Sequence, residues 1–498
     1  MSWEQWVIVF IFLSSLVPGM VIFTLPESAH RLRTFLNLSG AILKLILVVT
    51  MVVNIYQGRE FEIAFALLPD VEFVLRADAL SALFATLSST LWLVTTVFAV
   101  GYLEGSPNRS QFFGYFSLCI TVTIGIALAG NLLTFLVFFE LLTLTTYPLV
   151  VHRGTSQVMD AGRIYLIYAL TGGAIFLVAV IWLRVLVGPL TFHEHGLLAP
   201  YEQSLRIPLT IIFILLISGV GVKAALVPFH GWLPQAMVAP APVSALLHAV
   251  AVVKAGAFGI IRIVLDVYGI ETAQRLHLLS PLGGIAVFTI VYGSVRALGQ
   301  DNLKHRLAYS TVSQVSYITL GISMGGTGAI MGGLVHLVHQ GLMKITLFFC
   351  AGNLAETLGV HNISEMRGAG RRLPLTMGAF TVGVAGMIGL PPMAGFVSKW
   401  YLGIGALEQQ QDWIIVVLVC STLLNAAYFL PIVYTVWFEK QQGLWPDERD
   451  FGRWETHWML LLPTLTTALL VLLTGLLAGS SLSPLAWVKL IVRTEYGL

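Results

Sequence analysis

Gly219–Arg262 reads GVGVKAALVPFHGWLPQAMVAPAPVSALLHAVAVVKAGAFGIIR. The stretch is apolar enough to lie in a membrane, yet it carries Lys223, His230, His248 and Lys254. Pro228, Pro234, Pro240 and Pro242 interrupt its helix, because proline lacks the amide hydrogen a helix needs and its ring clashes with the preceding turn. An ionisable side chain at the bilayer centre costs roughly 3 kcal/mol or more and usually marks a functional position. A broken helix at that depth leaves backbone groups unpaired unless protein or water covers them. Two lysines around a broken helix therefore point to a charge pathway, and the remaining chain is read as its housing.

Composition supports that frame. Of 498 residues, 57% are hydrophobic and 10% charged, against about 25% charged in soluble domains, so the chain is an integral membrane protein. Its net charge of +2 comes with no basic run, and nothing points to nucleic acid. Cys119, Cys350 and Cys420 lie far apart inside apolar runs, which argues against a disulfide, a zinc site or an iron–sulfur cluster. Trp6–Phe23 lacks the basic n-region of a signal peptide and is read as a retained helix.

Apolar runs of about 20 residues place some fourteen transmembrane helices, at 4–25, 34–56, 79–102, 112–129, 131–151, 162–188, 207–232, 241–265, 278–298, 307–324, 328–352, 374–401, 412–438 and 457–479. Gly58–Asp78 alternates polar and apolar residues and reads as a small hairpin outside the bilayer. Gln441–Thr456, with Asp447, Glu448, Arg449, Asp450 and Arg453, is the other polar loop. About fourteen Lys and Arg, from Arg31 to Arg453, fall in loops after odd-numbered helices. Arg59, Arg76, Arg206, Arg275, Lys489 and Arg493 fall on the other side. The positive-inside rule then puts both termini outside the cytoplasm.

Gly383–Leu402, GVAGMIGLPPMAGFVSKWYL, is a second Pro-broken apolar run, with Pro391 and Pro392 just before Lys399. One such segment in each half is the sequence pointer to an inverted-repeat transporter. The expected fold is all-α, with two inverted five-helix repeats (helices 4–8 and 9–13) and broken helices 7 and 12. The expected parts are 1–110 (helices 1–3 and the hairpin), 111–266 and 276–438 (the two repeats), and 456–498 (helix 14 and tail).

Several side chains could carry protons. Glu140 lies in NLLTFLVFFELLTLTTYPLVV with Thr143 and Tyr147 on its face; it is read either as a structural ion-pair partner or as a proton acceptor tuned by a lysine. Lys223, Lys254, Lys344 and Lys399 each sit deep in an apolar run. One alone would pass for a snorkelling anchor, but four across both halves fit a relay better, since desolvation makes neutral and charged lysine interchangeable. His336, Gln340 and Lys344 form an i, i+4, i+8 stripe with His339 partly round the helix, and His230 and His248 extend the idea into the first half. Ser310, Ser313, Gln314 and Tyr317 share a face that serves helix packing or conduction equally well. Arg262 and Asp266, spaced i, i+4 at a helix end, are expected to be a surface pair, and His193 and His195 to be solvated in a loop.

FFELLTLTTYPL, GVKAALVPFHGWLPQAMVAPAPVSALLHAVAVVKAG, DNLKHRLAYSTVSQVSYITLG, HLVHQGLMKITLFF and GLPPMAGFVSKW together resemble the antiporter-type proton-translocating family. That family holds the large membrane-arm subunits of complex I, the A-type and D-type subunits of Mrp Na⁺/H⁺ antiporters, and hydrogenase-linked relatives. The resemblance spans roughly residues 60–440. It implies fourteen helices in inverted repeats and a central line of charged residues. By motif, Glu140 matches the fifth-helix glutamate and Lys223 the lysine of broken helix 7. Lys254 and His248 match the eighth-helix pair, Lys344 the eleventh-helix lysine, and Lys399 the ionisable residue of broken helix 12.

Two departures refine the placement. M-type complex I subunits have glutamate where Lys399 stands, and the eleventh-helix motif often has histidine where Gln340 stands. With the chain ending soon after the fourteenth helix, a D-type Mrp subunit is the favoured expectation, in a bacterial cytoplasmic membrane beside other membrane subunits. The alternative is the proton-pumping subunit of a complex I-like NADH:quinone oxidoreductase or a membrane-bound hydrogenase. A passive membrane scaffold is a third reading, which the spread of buried lysines disfavours. No cofactor or metal is expected in this chain, and no carboxylate cluster marks a sodium site.

Overall fold

A computed structural model describes residues 2–68, 71–441, 443–451 and 454–497; Arg453, counted above among the loop charges, lies outside them. The first third comprises helices α1 (Trp3–Thr24) and α2 (His30–Tyr56), strands β1 (Phe61–Leu68) and β2 (Val71–Ala77), then α3 (Ala79–Tyr102), α4 (Arg109–Ala127), α5 (Leu132–Val150) and α6 (Ser156–Val187). Next come α7 (Arg206–Lys223), α8 (Trp232–Gln235), α9 (Ala241–Ala249), α10 (Val252–Arg262), α11 (Ile270–Arg275) and α12 (Leu279–Leu298). The chain continues through α13 (Leu303–Met324), α14 (Thr327–Leu358), α15 (Ala369–Arg372), α16 (Pro374–Ile388), α17 (Ala394–Glu408), α18 (Trp413–Phe438), α19 (Trp458–Leu476) and α20 (Pro484–Thr494). Among the described residues, eleven helices are long and apolar enough to cross a membrane.

The expected hairpin is present. β1 and β2 pair antiparallel, Phe61 opposite Ala77, and the loop before α5 stitches them down: Arg76 N–H donates to the Leu128 carbonyl at 2.7 Å and Gly130 N–H to Val74 at 2.9 Å. Asn131 then starts α5, its side chain accepting from Thr134 N–H at 2.7 Å, because an N-cap oxygen satisfies one of the orphaned first-turn donors.

The bundle is inside-out relative to a soluble protein. Outer helices expose large apolar side chains, such as Ile167, Leu170, Ile181, Val416 and Leu423, while Lys, His, Gln, Ser and Thr are buried at the centre. That distribution suits a surface solvated by hydrocarbon, where satisfied polar groups must face inward. From Gly332 to Leu354 α14 is wholly interior, flanked by α3, α9, α13, α16, α17 and α19.

Both expected breaks occur, but unequally. The 207–232 span stops at Lys223 and is followed by turns and the four-residue α8, whereas the second break separates two 15-residue helices, α16 and α17. Val227–Pro228 and Pro391–Pro392 are cis. Span 241–265 is not continuous as expected: it divides at Val250–Ala251 into α9 and α10, then passes into a π-helical turn at Ile263–Tyr268. Neither proline nor glycine lies at that division, so tertiary packing rather than local chemistry makes the break.

Candidate functional site: lysines of the helix bundle

Glu140 lies on α5 against α6, where Gly173 leaves room for it: a Cβ there would collide with the carboxylate. Its Oε1 is buried without a hydrogen-bond partner. Lys223, the last residue of α7, does not pair with it within 4.0 Å; its ammonium donates instead to the Phe139 carbonyl and lies 3.6 Å from the Phe139 ring centroid. Ala225, two residues on, has φ of 56°, a left-handed conformation costing about 1–2 kcal/mol for a residue with a Cβ, which the break imposes. Thr143 is buried with its hydroxyl unpartnered, and Tyr147 is half-buried one turn away.

Across the α9–α10 break, Lys254 is fully buried in the first turn of α10 and donates to the Leu337 carbonyl of α14 at 2.6 Å. Gly341 of α14 permits the close approach: a Cβ there would meet the Ala249 carbonyl at 3.2 Å. Lys344, also fully buried, donates to the Leu307 carbonyl at 3.1 Å and to the Ser310 hydroxyl, both on α13. Lys399 of α17 reaches back over the second break to the carbonyls of Ile388 (2.8 Å) and Met387 (3.3 Å) and the Thr422 hydroxyl (3.1 Å). It borders a cavity of about 400 Å³ together with Trp400 and Thr422.

Polar side chains fill the gaps. His248, His339, Gln340 and Gln314 are fully buried, and among the described residues none of their side-chain polar atoms has a hydrogen-bond partner. His336 uses Nδ1 on the Ser398 hydroxyl at 2.8 Å and leaves Nε2 unpartnered. Buried polar atoms are normally satisfied by protein or ordered water, so this cluster, with two to four donors and acceptors per site, suits water. Ser313 and Tyr317 turn aside instead: Ser313 bonds Ser294 of α12 at 2.9 Å and Tyr317 bonds Ser421 of α18 at 2.6 Å. His230 is only half-buried, 4.9 Å from the Tyr292 ring. Pro228 lies in the first break, Pro234 inside α8, and Pro391 and Pro392 between α16 and α17.

Arg262 and Asp266 are not the surface pair expected. They are 2% and 3% exposed, and Arg262 joins Asp266 (2.7 Å), Asp78 (2.8 Å) and Ser81 (2.8 Å). Tyr496 donates to Asp266 at 3.0 Å, and Glu495 accepts from the Ala79 amide at 2.5 Å. A cavity of about 750 Å³ beside this cluster is lined by Arg76, Asp78, His193, Glu194, His195 and Glu495 among others. Burial pushes the Asp266 carboxyl up to about 6 against the pull of Arg262, while burial at Asp78 is outweighed by Arg262 and its carboxyl is held low. Two further lysines were missed: Lys44, buried inside α2, and the half-buried Lys304, whose ammonium donates to the Ala239 carbonyl at 2.6 Å. Lys44 could have been found by the criterion that found the others.

Residues 129–425 match the family described as NADH:quinone oxidoreductase/Mrp antiporter, TM. The chain is 36% identical over 412 residues to NADH-quinone oxidoreductase subunit N of Desulforudis audaxviator (strain MP104C), covering 80% of this chain and 81% of that protein. It is 27% identical over 405 residues to the D-type subunit of the Na(+)/H(+) antiporter of Bacillus subtilis (strain 168), covering 81% and 80%. It spans 58% of the length of the mnhA2 antiporter subunit of Staphylococcus haemolyticus (strain JCSC1435). Its fold matches a chain of the Mrp complex from Dietzia sp. DQ12-45-1b with a TM-score of 0.87 at 24% identity, over 100% of this chain and 99% of that one. The matched segment contains Glu140, Lys223, Lys254, Lys344 and Lys399, and the chain belongs to the NADH:quinone oxidoreductase/Mrp antiporter transmembrane family.

Proposed function

We propose that the chain is a proton-translocating, antiporter-like subunit of a multisubunit membrane complex, moving protons along Glu140, Lys223, Lys254, Lys344 and Lys399. The observation that carries this reading is shared by all four lysines: each donates to backbone carbonyls of a neighbouring segment, and none forms an ion pair among the described residues. A carbonyl is neutral, so an amine that loses its proton leaves no stranded anion, unlike a lysine in a buried salt bridge. Approach of Glu140 to Lys223 holds that amine charged, and separation releases its proton onward toward Lys399 and the cavity beside it. α13 and the broken pairs α9/α10 and α16/α17 complete about fourteen passes, arranged as two inverted repeats with both termini on the outer side of a bacterial cytoplasmic membrane.

The cation counter-transported is Na⁺ in a D-type antiporter assembly, the partners being other membrane subunits. A second reading, a complex I-like redox assembly, is favoured by the higher identity to the NADH-quinone oxidoreductase relative than to the D-type antiporter relative. Which proteins co-purify from the native membrane separates the two. In either assembly, Glu140→Ala and Lys399→Ala abolish proton transport in membrane vesicles while the complex still assembles; wild-type transport by those variants sinks the mechanism.

A further inference from the structure

Lys44 lies outside the matched segment and off the line of lysines, yet it is fully buried. Fourteen residues separate it from His30 at one end of α2 and twelve from Tyr56 at the other, which at ~1.5 Å per residue is roughly 18–21 Å of helix on each side. No lysine stem spans that distance, so snorkelling is closed to it. Its ammonium donates to the Ile11 carbonyl of α1 at 2.8 Å, an oxygen that also accepts the Ser14 hydroxyl at 2.7 Å. It lies 5.7 Å from the Trp92 ring centroid on α3. Among the described residues, charged groups of α1, α2 and α4 stand at the two ends, Glu4 with Arg59 at one, and His30, Arg31 and Arg33 with Glu27 and Arg109 at the other. Among the described residues no anion pairs with the amine.

Polar groups lead away from Lys44 in both directions. On the same face of α2, Asn37 accepts from Ser117 of α4 at 3.2 Å and leaves its Nδ2 unpartnered, and Arg33 beyond it donates to Ser110 at 2.7 Å. On α3, the Ser88 and Ser89 hydroxyls and the Trp92 Nε1 are buried with no partner among the described residues. The same turns of α3 pack through Leu87 and Leu91 against α14 at Gly341, next to Gln340 of the central line.

We propose that Lys44 is a proton-binding station on a lateral, water-bearing branch that enters at the Arg33 end of α2 and joins the central line where α3 meets α14. The proposal rests on the central line being a proton path. The test uses the intact complex in membrane vesicles. Lys44→Met, assembled at the wild-type level, loses roughly tenfold or more in transport rate. Lys44→Arg keeps a donor for Ile11 but cannot give up its proton, so it loses transport as well, whereas a structural lysine would be rescued by it. Radiolytic footprinting of the wild-type complex, which labels buried side chains beside bound water, modifies Trp92 faster than Phe84, a dry residue of the same helix, once intrinsic reactivity is normalised. Wild-type transport by assembled Lys44→Met or Lys44→Arg overturns the branch. So does labelling of Trp92 no faster than Phe84, which decides the matter even where the variants fail to assemble. Lys223→Met and Lys399→Ala run in parallel: their loss of transport with Lys44→Met intact sinks only the branch, and wild-type transport by all of them sinks the central line itself.

Discussion

Replacing Arg262 by methionine keeps most of the side-chain volume and removes one guanidinium from among three acids. In the structure its Nη1 holds Asp266 at 2.7 Å and its Nη2 holds Asp78 and Ser81, both at 2.8 Å. Deleting one partner of a buried ion pair costs about 3–5 kcal/mol, because the other charge is left uncompensated, and the near-isosteric methionine limits the packing loss to under about 1.5 kcal/mol. The deficit depends on pH in a definite direction. Asp266 already sits at about 6 through burial, with Arg262 opposing and Asp78 adding to the rise. Without Arg262 the opposing cation is gone, and both aspartates lie above their unfolded value near 3.9. An acid raised in the fold destabilises it as pH climbs through that window, so Arg262→Met is worst above about pH 7 and recovers toward pH 5. Wild-type Asp78, held low by Arg262, behaves oppositely: its contribution is present above about 3.9 and is lost as pH falls through its folded value. Thermal unfolding followed by tryptophan fluorescence at pH 5 and pH 8 reads the Arg262→Met effect, and acidifying the wild type below about pH 3.9 reads that of Asp78. A wild-type unfolding curve for Arg262→Met, or a deficit equal at the two pH values, would refute the coupling.

Two further substitutions test the central line. Gly173→Ala places a methyl against the Glu140 carboxylate and forces it to another rotamer; the expected result is a roughly tenfold drop in transport, equivalent to about 1.4 kcal/mol, with assembly unchanged, and an unchanged rate would show that the placement of Glu140 is not limiting. Lys254→Met removes a buried amine that has a carbonyl partner and no anion, so thermal stability holds or rises while transport stops; a large loss of stability with transport retained would make Lys254 an anchor.

The burial of Lys223, Lys254 and Lys344 was legible because a charge inside an apolar run is an anomaly that needs no partner to be noticed. The Arg262–Asp266 pair was misread because i, i+4 spacing is the same on a wet helix end and a buried one. What buries the pair is Asp78, 184 positions before Arg262, and Tyr496, 230 positions after Asp266, and spacing carries no trace of either. The α9–α10 break lies in LLHAVAVVKAG, whose residues all tolerate a helix, so only packing reveals it. Lys44 stands in GAILKLILVV, as plain a signal as Lys254, but it precedes the motifs that carry the resemblance. The hairpin and the two proline breaks were legible for the opposite reason, since alternation and missing amide donors are local chemistry.

Along the proposed line, the helix ends at the breaks also bear on where charge rests. Lys223 is the final residue of α7, and Lys399 donates to the carbonyls of Met387 and Ile388 that close α16. The Lys399 amine therefore faces the negative end of a helix dipole, and Lys223 stands in the last turn of another helix, where a cation gains about 0.3–1 kcal/mol and up to about 2 when partly buried. Lys254 lies in the first turn of α10, where the dipole opposes a cation by a similar amount. On the proposed path a proton is thus favoured at Lys223 and Lys399 over Lys254, while Lys344, inside α14, lies at no helix end. On that path the breaks at Lys223 and Lys399 help set where charge waits, and the unheralded break before Lys254 sets where it does not.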